Sequence, residues 1–170
     1  MAKSSGKRKN EGKLFEHDIK SSIPEGFYVE RYKDDTAGFK GVTNPADFRL
    51  YKYPYTFLLE LKSYKGKSIP LSKIRPNQIK GLHNAGKHYG IFAGFLFNYR
   101  ELEETYYVPV SDVVDTYYDI VEEEYIIKQK GRKSIPVAWC RDYGERIKQE
   151  KKRVRYTYNL EEFFNEYWNG

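Results

Sequence analysis

The chain of 170 residues has almost no cysteine: Cys140 stands alone. A single thiol excludes an internal disulfide and any zinc site built from several cysteines, and it fits a reducing cytoplasm. Long apolar runs are missing too. None approaches the ~20 residues that a membrane-spanning helix needs, so no membrane partner is expected. The opening "MAKSSGKRKNEG" is small, polar and basic, without the apolar stretch of a signal peptide. No internal repeat and no long linker marks a second domain, and the length suffices for one domain with a real core. His17, His83 and His88 lack metal-ligand spacing, and His83-Asn84 lacks the rest of an HNH motif. A surface or phosphate-contacting role is expected for them.

A further absence is local. From Glu101 to Ile127 there is no Lys or Arg against nine Asp and Glu, so the overall +6 leaves +15 on the rest of the chain. One acidic surface and strongly basic others are expected, and a basic face of that size suits a polyanion such as nucleic acid. What the chain has in abundance is tyrosine, 17 residues of it, which suits strands and half-wet surfaces.

Patterning gives a coarse order of elements. Residues 1–12 read as a basic flexible arm and 13–170 as one folded domain. A helix is predicted over 13–22, where Phe15 and Ile19 form an i, i+4 apolar pair. A strand follows at 27–32, then a Gly-, Asp- and Asn-rich protruding turn at 33–45. Strands are predicted at 46–51 and 56–62, joined through Pro54. A polar loop leads to a helix at 76–89, with Pro76 in its first turn and Gly90 as its cap. "IFAGFLFNYR" and "TYYVPV" read as strands. Ser111 is expected to cap a long acidic helix through Ile127, and a shorter helix is expected from Ser134 to about Gly144. A basic stretch over 146–159 reads as a strand, and "LEEFFNEYW" as a final amphipathic helix; Cys140 beside Trp139 reads as core packing. The sum is an α/β domain, a central mixed sheet flanked by helices.

Within the apolar strand "FLLELK", side-chain alternation puts Phe57, Leu59 and Leu61 on one face and Leu58, Glu60 and Lys62 on the other. A charge in such a strand is costly unless paired or bound. If the two strands pair antiparallel through Pro54, Asp47 comes to face Glu60 and Lys62. Two carboxylates that close repel each other, and a cation relieves the repulsion. A hard divalent ion takes oxygen ligands of this kind, and Glu16 on the first helix could reach the same ion. On its own the pattern is loose, and a salt-bridged strand end is the commoner explanation. Pro45 before Asp47, the hairpin-length gap and the helix that follows support the ionic site.

These residues resemble a family. "GKLFE" (Gly12 to Glu16), "ADF…ELK" (Ala46 to Lys62), "SIPLSKI" (Ser68 to Ile74), Gln78 and "AGFLFNYR" (Ala93 to Arg100) are similar to the RecU-type Holliday junction resolvases of the PD-(D/E)xK nuclease superfamily. The resemblance implies a restriction-endonuclease-like core and a homodimeric endonuclease that nicks two strands of a four-way DNA junction. Its cofactor would be magnesium, with manganese as an alternative. It makes Asp47, Glu60 and Lys62 catalytic, assisted by Gln78 and Glu16, with Asp47, Glu60 and Glu16 as metal ligands. The chain departs from longer members at the stalk that enters the junction: only 14 residues separate Tyr32 from Asp47, as in a compact phage enzyme.

DNA contacts are expected from Lys7, Arg8, Lys9 and Lys13 in and beside the arm, from Lys33 and Lys40 in the turn, and from Lys65, Lys67, Lys73 and Arg75 around the site. Such groups position phosphates and do not read sequence. "KRVR", over residues 152–155, could add backbone contacts. Tyr51, Tyr53 and Tyr55, at strand period, are candidate contacts between two copies, and recombination proteins are candidate partners. Two other functions fit the pattern: a PD-(D/E)xK nuclease acting on duplex or flap DNA, and a non-catalytic DNA-binding recombination factor.

Overall fold

The computed structural model describes residues 5–32 and 46–170, and residues 5–10 by their backbone alone. Six strands form the central sheet: β1 (Tyr28–Arg31), β2 (Phe48–Lys52), β3 (Tyr55–Tyr64), β5 (Ile91–Tyr99), β6 (Glu104–Pro109) and β10 (Glu145–Ile147), in the order β1-β2-β3-β5-β6-β10. β3 and β5 are parallel, connected through α2 (Pro76–Gly86), and the other neighbours are antiparallel. This is the expected α/β architecture, a mixed sheet flanked by helices.

Alternation along the strands builds two cores. On one face Leu58, Ala93, Phe95, Phe97 and Val108 meet α2, α3 (Val110–Tyr117) and α4 (Val137–Tyr143). On the other, Phe48, Leu50, Phe57, Leu59 and Leu61 meet α1 (Ser5–Ser22) and α5 (Leu160–Asn169). Phe15 and Ile19 are the buried i, i+4 pair of α1. Asn159 caps α5, its side chain accepting from the Glu162 N–H at 3.2 Å. Gly94 sits where β6 crosses closest: a Cβ there would lie 2.5 Å from the Val108 carbonyl oxygen and 2.8 Å from the Tyr107 ring. Cys140 is buried in the first core, as expected. Among the described residues no helix is long and apolar enough to cross a membrane.

Several elements differ from their prediction. α1 starts at Ser5, so residues 5–12 are helical in backbone. The acidic helix stops at Tyr117, and β7 (Tyr118–Val121) and β8 (Glu124–Ile127) form a hairpin in its place. Ile120, Val121, Ile126 and Ile127 are β-branched, and their strand preference outweighs the acidic residues' helical one. Glu122 and Glu123 take φ of 50° and 65°, the double left-handed turn of a two-residue hairpin.

The segment expected to begin a helix at Ser134 is first a strand, β9 (Ser134–Pro136), paired with β4 (Ser68–Pro70). Both carry the tetrapeptide Lys-Ser-Ile-Pro, a short repeat. The pairing is nearly symmetric. Ile69 lies opposite Ile135, both buried, and Ser68 Oγ donates to Ser134 Oγ at 2.6 Å. The Leu71 N–H donates to the Lys133 carbonyl at 2.9 Å and the Val137 N–H to the Lys67 carbonyl at 2.8 Å. Each proline then opens a helical turn.

The close approach at Gly94 predicts that Gly94→Ala costs about 1–3 kcal/mol, the usual penalty for overpacking, read from urea unfolding. A second prediction concerns Glu145 at the half-buried edge strand β10. Burial and the neighbouring Glu166 carboxyl push its own carboxyl from 4.5 up to about 8. The folded chain therefore holds a proton there that the unfolded chain has lost, and stability falls as pH rises across that window. Glu145→Gln should raise the melting temperature at pH 8 and leave it nearly unchanged at pH 4; an equal gain at both would refute the assignment.

Candidate active site

The hairpin of β2 and β3 pairs Phe48 with Leu59, so the next step outward sets Asp47 beside Glu60. The main chain of Asp47 is held from both sides. Its N–H donates to the Leu59 carbonyl at 3.0 Å, and its carbonyl accepts from the Tyr32 N–H at 2.9 Å. Its side chain is fixed as well, with Oδ2 accepting from the Leu61 N–H at 2.7 Å. Asp47 and Glu60 therefore face each other from adjacent strands, as alternation predicts.

Glu60 is 3% exposed. Its Oε1 accepts from Gln78 Nε2 at 2.7 Å and lies 2.9 Å from the Lys62 ammonium. Lys62 also lies 3.4 Å from Gln78 Oε1. The same Gln78 oxygen accepts from the Arg75 N–H at 3.1 Å, the return half of a capping box at the start of α2. One glutamine thus closes the first turn of its helix and holds a buried carboxylate.

Burial, then repulsion from Glu60, pushes the Asp47 carboxyl up to about 7, against the pull of the Leu61 N–H. Burial also raises the Glu60 carboxyl, with Lys62 opposing it most. The charge of Glu16 raises both, so the helix-borne carboxylate belongs to the same electrostatic neighbourhood. Glu16 is itself ion-paired with Arg31 on β1. Among the described residues no three acidic, His or Cys side chains converge into a ready cage.

The other site candidates scatter. Lys13, Lys65, Lys67, Lys73 and Arg75 are exposed, and Lys65 sits 3.6 Å from Glu101. The side chains of Lys7, Arg8 and Lys9, and all of Lys33, Lys40 and the predicted turn, lie outside the described residues. His83 Nδ1 and Tyr125 Oη are 2.7 Å apart, and burial lowers the imidazole pKa. His17 contacts Arg155. The three tyrosines of the β2–β3 hairpin do not share a surface. Tyr51 lies on the face of the carboxylates, Tyr53 is in the turn, and Tyr55 points to the opposite face against Phe92 and Trp168, with ring centroids 5.3 and 5.2 Å away. The turn between them resets the alternation on which their spacing depended. Arg31 was missed; its signal was its place in "FYVERY", one residue before Tyr32, whose N–H holds the Asp47 carbonyl.

Comparison with known proteins adds to this geometry. The family described as RecU, Recombination protein U, matches residues 46–162. The SPbeta prophage-derived uncharacterized protein YotM of Bacillus subtilis (strain 168) is 39% identical over 169 residues, 92% of this chain and 86% of its own. The Holliday junction resolvase RecU of Streptococcus pneumoniae serotype 19F (strain G54) is 30% identical over 123 residues, 71% of this chain. The chain spans 52% of the length of that resolvase. The solved structure of Hjc, a Holliday junction resolvase from Archaeoglobus fulgidus, is 17% identical with a TM-score of 0.46, covering 75% of this chain and 97% of that one. The family match takes in Asp47, Glu60, Lys62 and Gln78, and on its extent the chain belongs to the RecU family.

Proposed function

We propose that the chain is a magnesium-dependent endonuclease that resolves four-way DNA junctions by paired nicks, acting as a homodimer in recombination or repair. The observation that carries this reading is the buried Glu60 facing the half-buried Asp47 from the adjacent strand, with Lys62 and Gln78 fixed beside it. A structural role would not require two carboxylates facing each other on neighbouring strands. The pneumococcal relative bears the name of Holliday junction resolvase, which supports the choice of branched DNA.

The donor set fits a hard divalent ion. Both carboxylates are oxygen ligands raised in pKa by burial and by like charge, the condition that a cation relieves. Gln78 and Lys62 converge on Oε1 of Glu60, and the Leu61 N–H takes Oδ2 of Asp47. The remaining oxygens, Oε2 and Oδ1, are those that would hold the ion. When bound, it supplies positive charge against the charge developing on the scissile phosphate.

The chain's own groups do the rest. Lys62, steadied by Glu60 and Gln78, directs its ammonium at the reacting phosphate. There it stabilises the extra negative charge as water oxygen adds to phosphorus and the ester oxygen leaves. Gln78 keeps Glu60 and Lys62 in register with α2, and Arg31 holds Glu16 beside the pair. The exposed lysines and Arg75 position the DNA backbone.

Four-way, flap and linear duplex DNA compared at equal concentration in magnesium test the reading: paired nicks in the junction are expected, and equal cutting of duplex would overturn junction selectivity. Asp47→Ala, Glu60→Ala and Lys62→Ala should each abolish cleavage and leave DNA binding largely intact; full activity in all three would sink the site. A further prediction needs no substrate. Like charges directly opposite on paired strands are destabilising by up to about 1 kcal/mol, or ~2–4 °C for a domain of this size. Asp47→Asn should therefore raise the melting temperature in chelator at neutral pH, since Glu60 keeps its Lys62 and Gln78 partners. Added magnesium should stabilise the wild type and not the variant.

A further inference from the structure

The face of the sheet that carries the carboxylates continues as an open groove towards its β1 edge. Cross-strand register arranges the face in rows. The first row is Tyr32, Asp47 and Glu60, joined through the Tyr32–Asp47 hydrogen bond and the β2–β3 pairing. One pleat on come Glu30, Arg49 and Leu58, and one pleat further Tyr28, Tyr51 and Thr56. Ile91 of β5 lies beside Thr56 in that last row. At ~3.4 Å per residue the tyrosine row stands about 14 Å from the carboxylates. A single concavity of about 450 Å³ is lined by Tyr32, Arg49, Leu58, Tyr51, Tyr28 and Ile91, with Thr56 in its floor.

Among the described residues this groove is left uncovered on one side. α2 covers the β5 side of Glu60 through Gln78, whereas on the β1–β2 side Tyr28 is 59% and Tyr51 43% exposed. Two tyrosines directly opposite on paired strands, both exposed and in line with a site, form an apolar patch of the kind that marks a binding surface. Among the described residues Arg49 is the cation lining the groove; it pairs with Glu30 and stays half exposed. Aromatic faces stack bases with little regard to sequence, and a guanidinium takes a phosphate. The volume is that of a small-molecule site, room for one or two nucleotides and not for a duplex.

The geometry points to a strand-positioning subsite: the DNA strand leaving the scissile phosphate runs along this groove, its backbone beside Arg49 and an unstacked base against Tyr28 and Tyr51. The inference rests on the endonuclease reading, since the strand enters the groove from the phosphate held at Asp47 and Glu60. A second copy of the chain is the competing occupant. The groove ends at Tyr32, next to Asp47, so a protein segment filling it would crowd the strand being cut, and the concave shape suits a narrow polymer.

The test compares Tyr28→Ala/Tyr51→Ala with Tyr28→Phe/Tyr51→Phe, which keeps both rings. The probe is four-way junction DNA carrying 2-aminopurine at each of the three nucleotides on either side of the cleavage position, alongside junctions cut back to lack those nucleotides. Wild-type cleavage of the intact junction reports on the endonuclease reading separately. With wild type and the Phe pair, 2-aminopurine fluorescence should change at one of these positions on binding. The Ala pair should lose that change and bind intact junctions about tenfold or more weaker, with equal affinity for shortened ones. Equal binding and fluorescence in the Ala and Phe pairs would overturn the subsite. So would an Ala pair that sediments as a monomer where wild type is a dimer, which would assign the groove to a second copy. Thermal melts of both pairs establish that each is folded.

Discussion

Glu60 lies in the central strand of the sheet, almost fully removed from water, and its charge has to be answered from within the protein. Lys62 answers from the same face of the same strand, and Gln78 answers from the helix that follows. Much of the architecture serves these contacts. β3 and β5 are parallel, so the chain must cross over between them, and the crossover helix brings its first turn to the exit of β3. Gln78 occupies the third helical position because from there its side chain can reach both its own helix start and the neighbouring strand. The hairpin that precedes β3 delivers the second carboxylate through register alone. A buried charge in the middle of β3, with partners at 2.7 and 2.9 Å, thus ties together the hairpin, the crossover and the helix cap.

Such an arrangement is held against a stability cost, because desolvation disfavours both carboxylates and the Glu60 charge further disfavours that of Asp47. The hydrophobic faces supply the compensation. Leu59 and Leu61 anchor the strand in one core while Leu58 anchors it in the other, so β3 cannot rotate or slip to expose its charges. A slip of one residue would exchange every side chain between the faces. The alternation that makes the strand foldable is the same alternation that aims Glu60 and Lys62.

The parts of this organisation that depend on local pattern were legible in the sequence. The strand at Phe57 to Lys62, the antiparallel partner carrying Asp47, the proline-led helix with Gln78 and the amphipathic final helix all follow from period-two or helical spacing. The failures share a physical cause: each turned on a non-local contact or a backbone state that composition does not report. The acidic run looked helical because its charges suit a helix, but Glu122 and Glu123 adopt left-handed backbone in a turn stabilised by β-branched flanks. The tyrosines at 51, 53 and 55 kept strand period in sequence and lost it in space, because the turn at Tyr53 and Pro54 lies between them. Glu16 was legible as a nearby acid, whereas its partner Arg31 depends on how α1 crosses the edge of the sheet.

The paired Lys-Ser-Ile-Pro segments reach further than their eight residues suggest. They lie at the two ends of a stretch that holds α2, two of the inner strands, β5 and β6, α3 and the acidic hairpin, and their reciprocal main-chain hydrogen bonds clasp those ends together. The stretch from 71 to 133 is therefore a closed loop, stitched at its neck, with α2 and α3 packed on the face that carries Glu60. α5, β11 (Gln149–Lys152) and β12 (Arg155–Tyr158) belong to the chain beyond the clasp. Fraying of that tail does not by itself unpick the neck, so the clasp separates the loosening of the C-terminus from the placement of Gln78, which begins only a few residues from the stitched end.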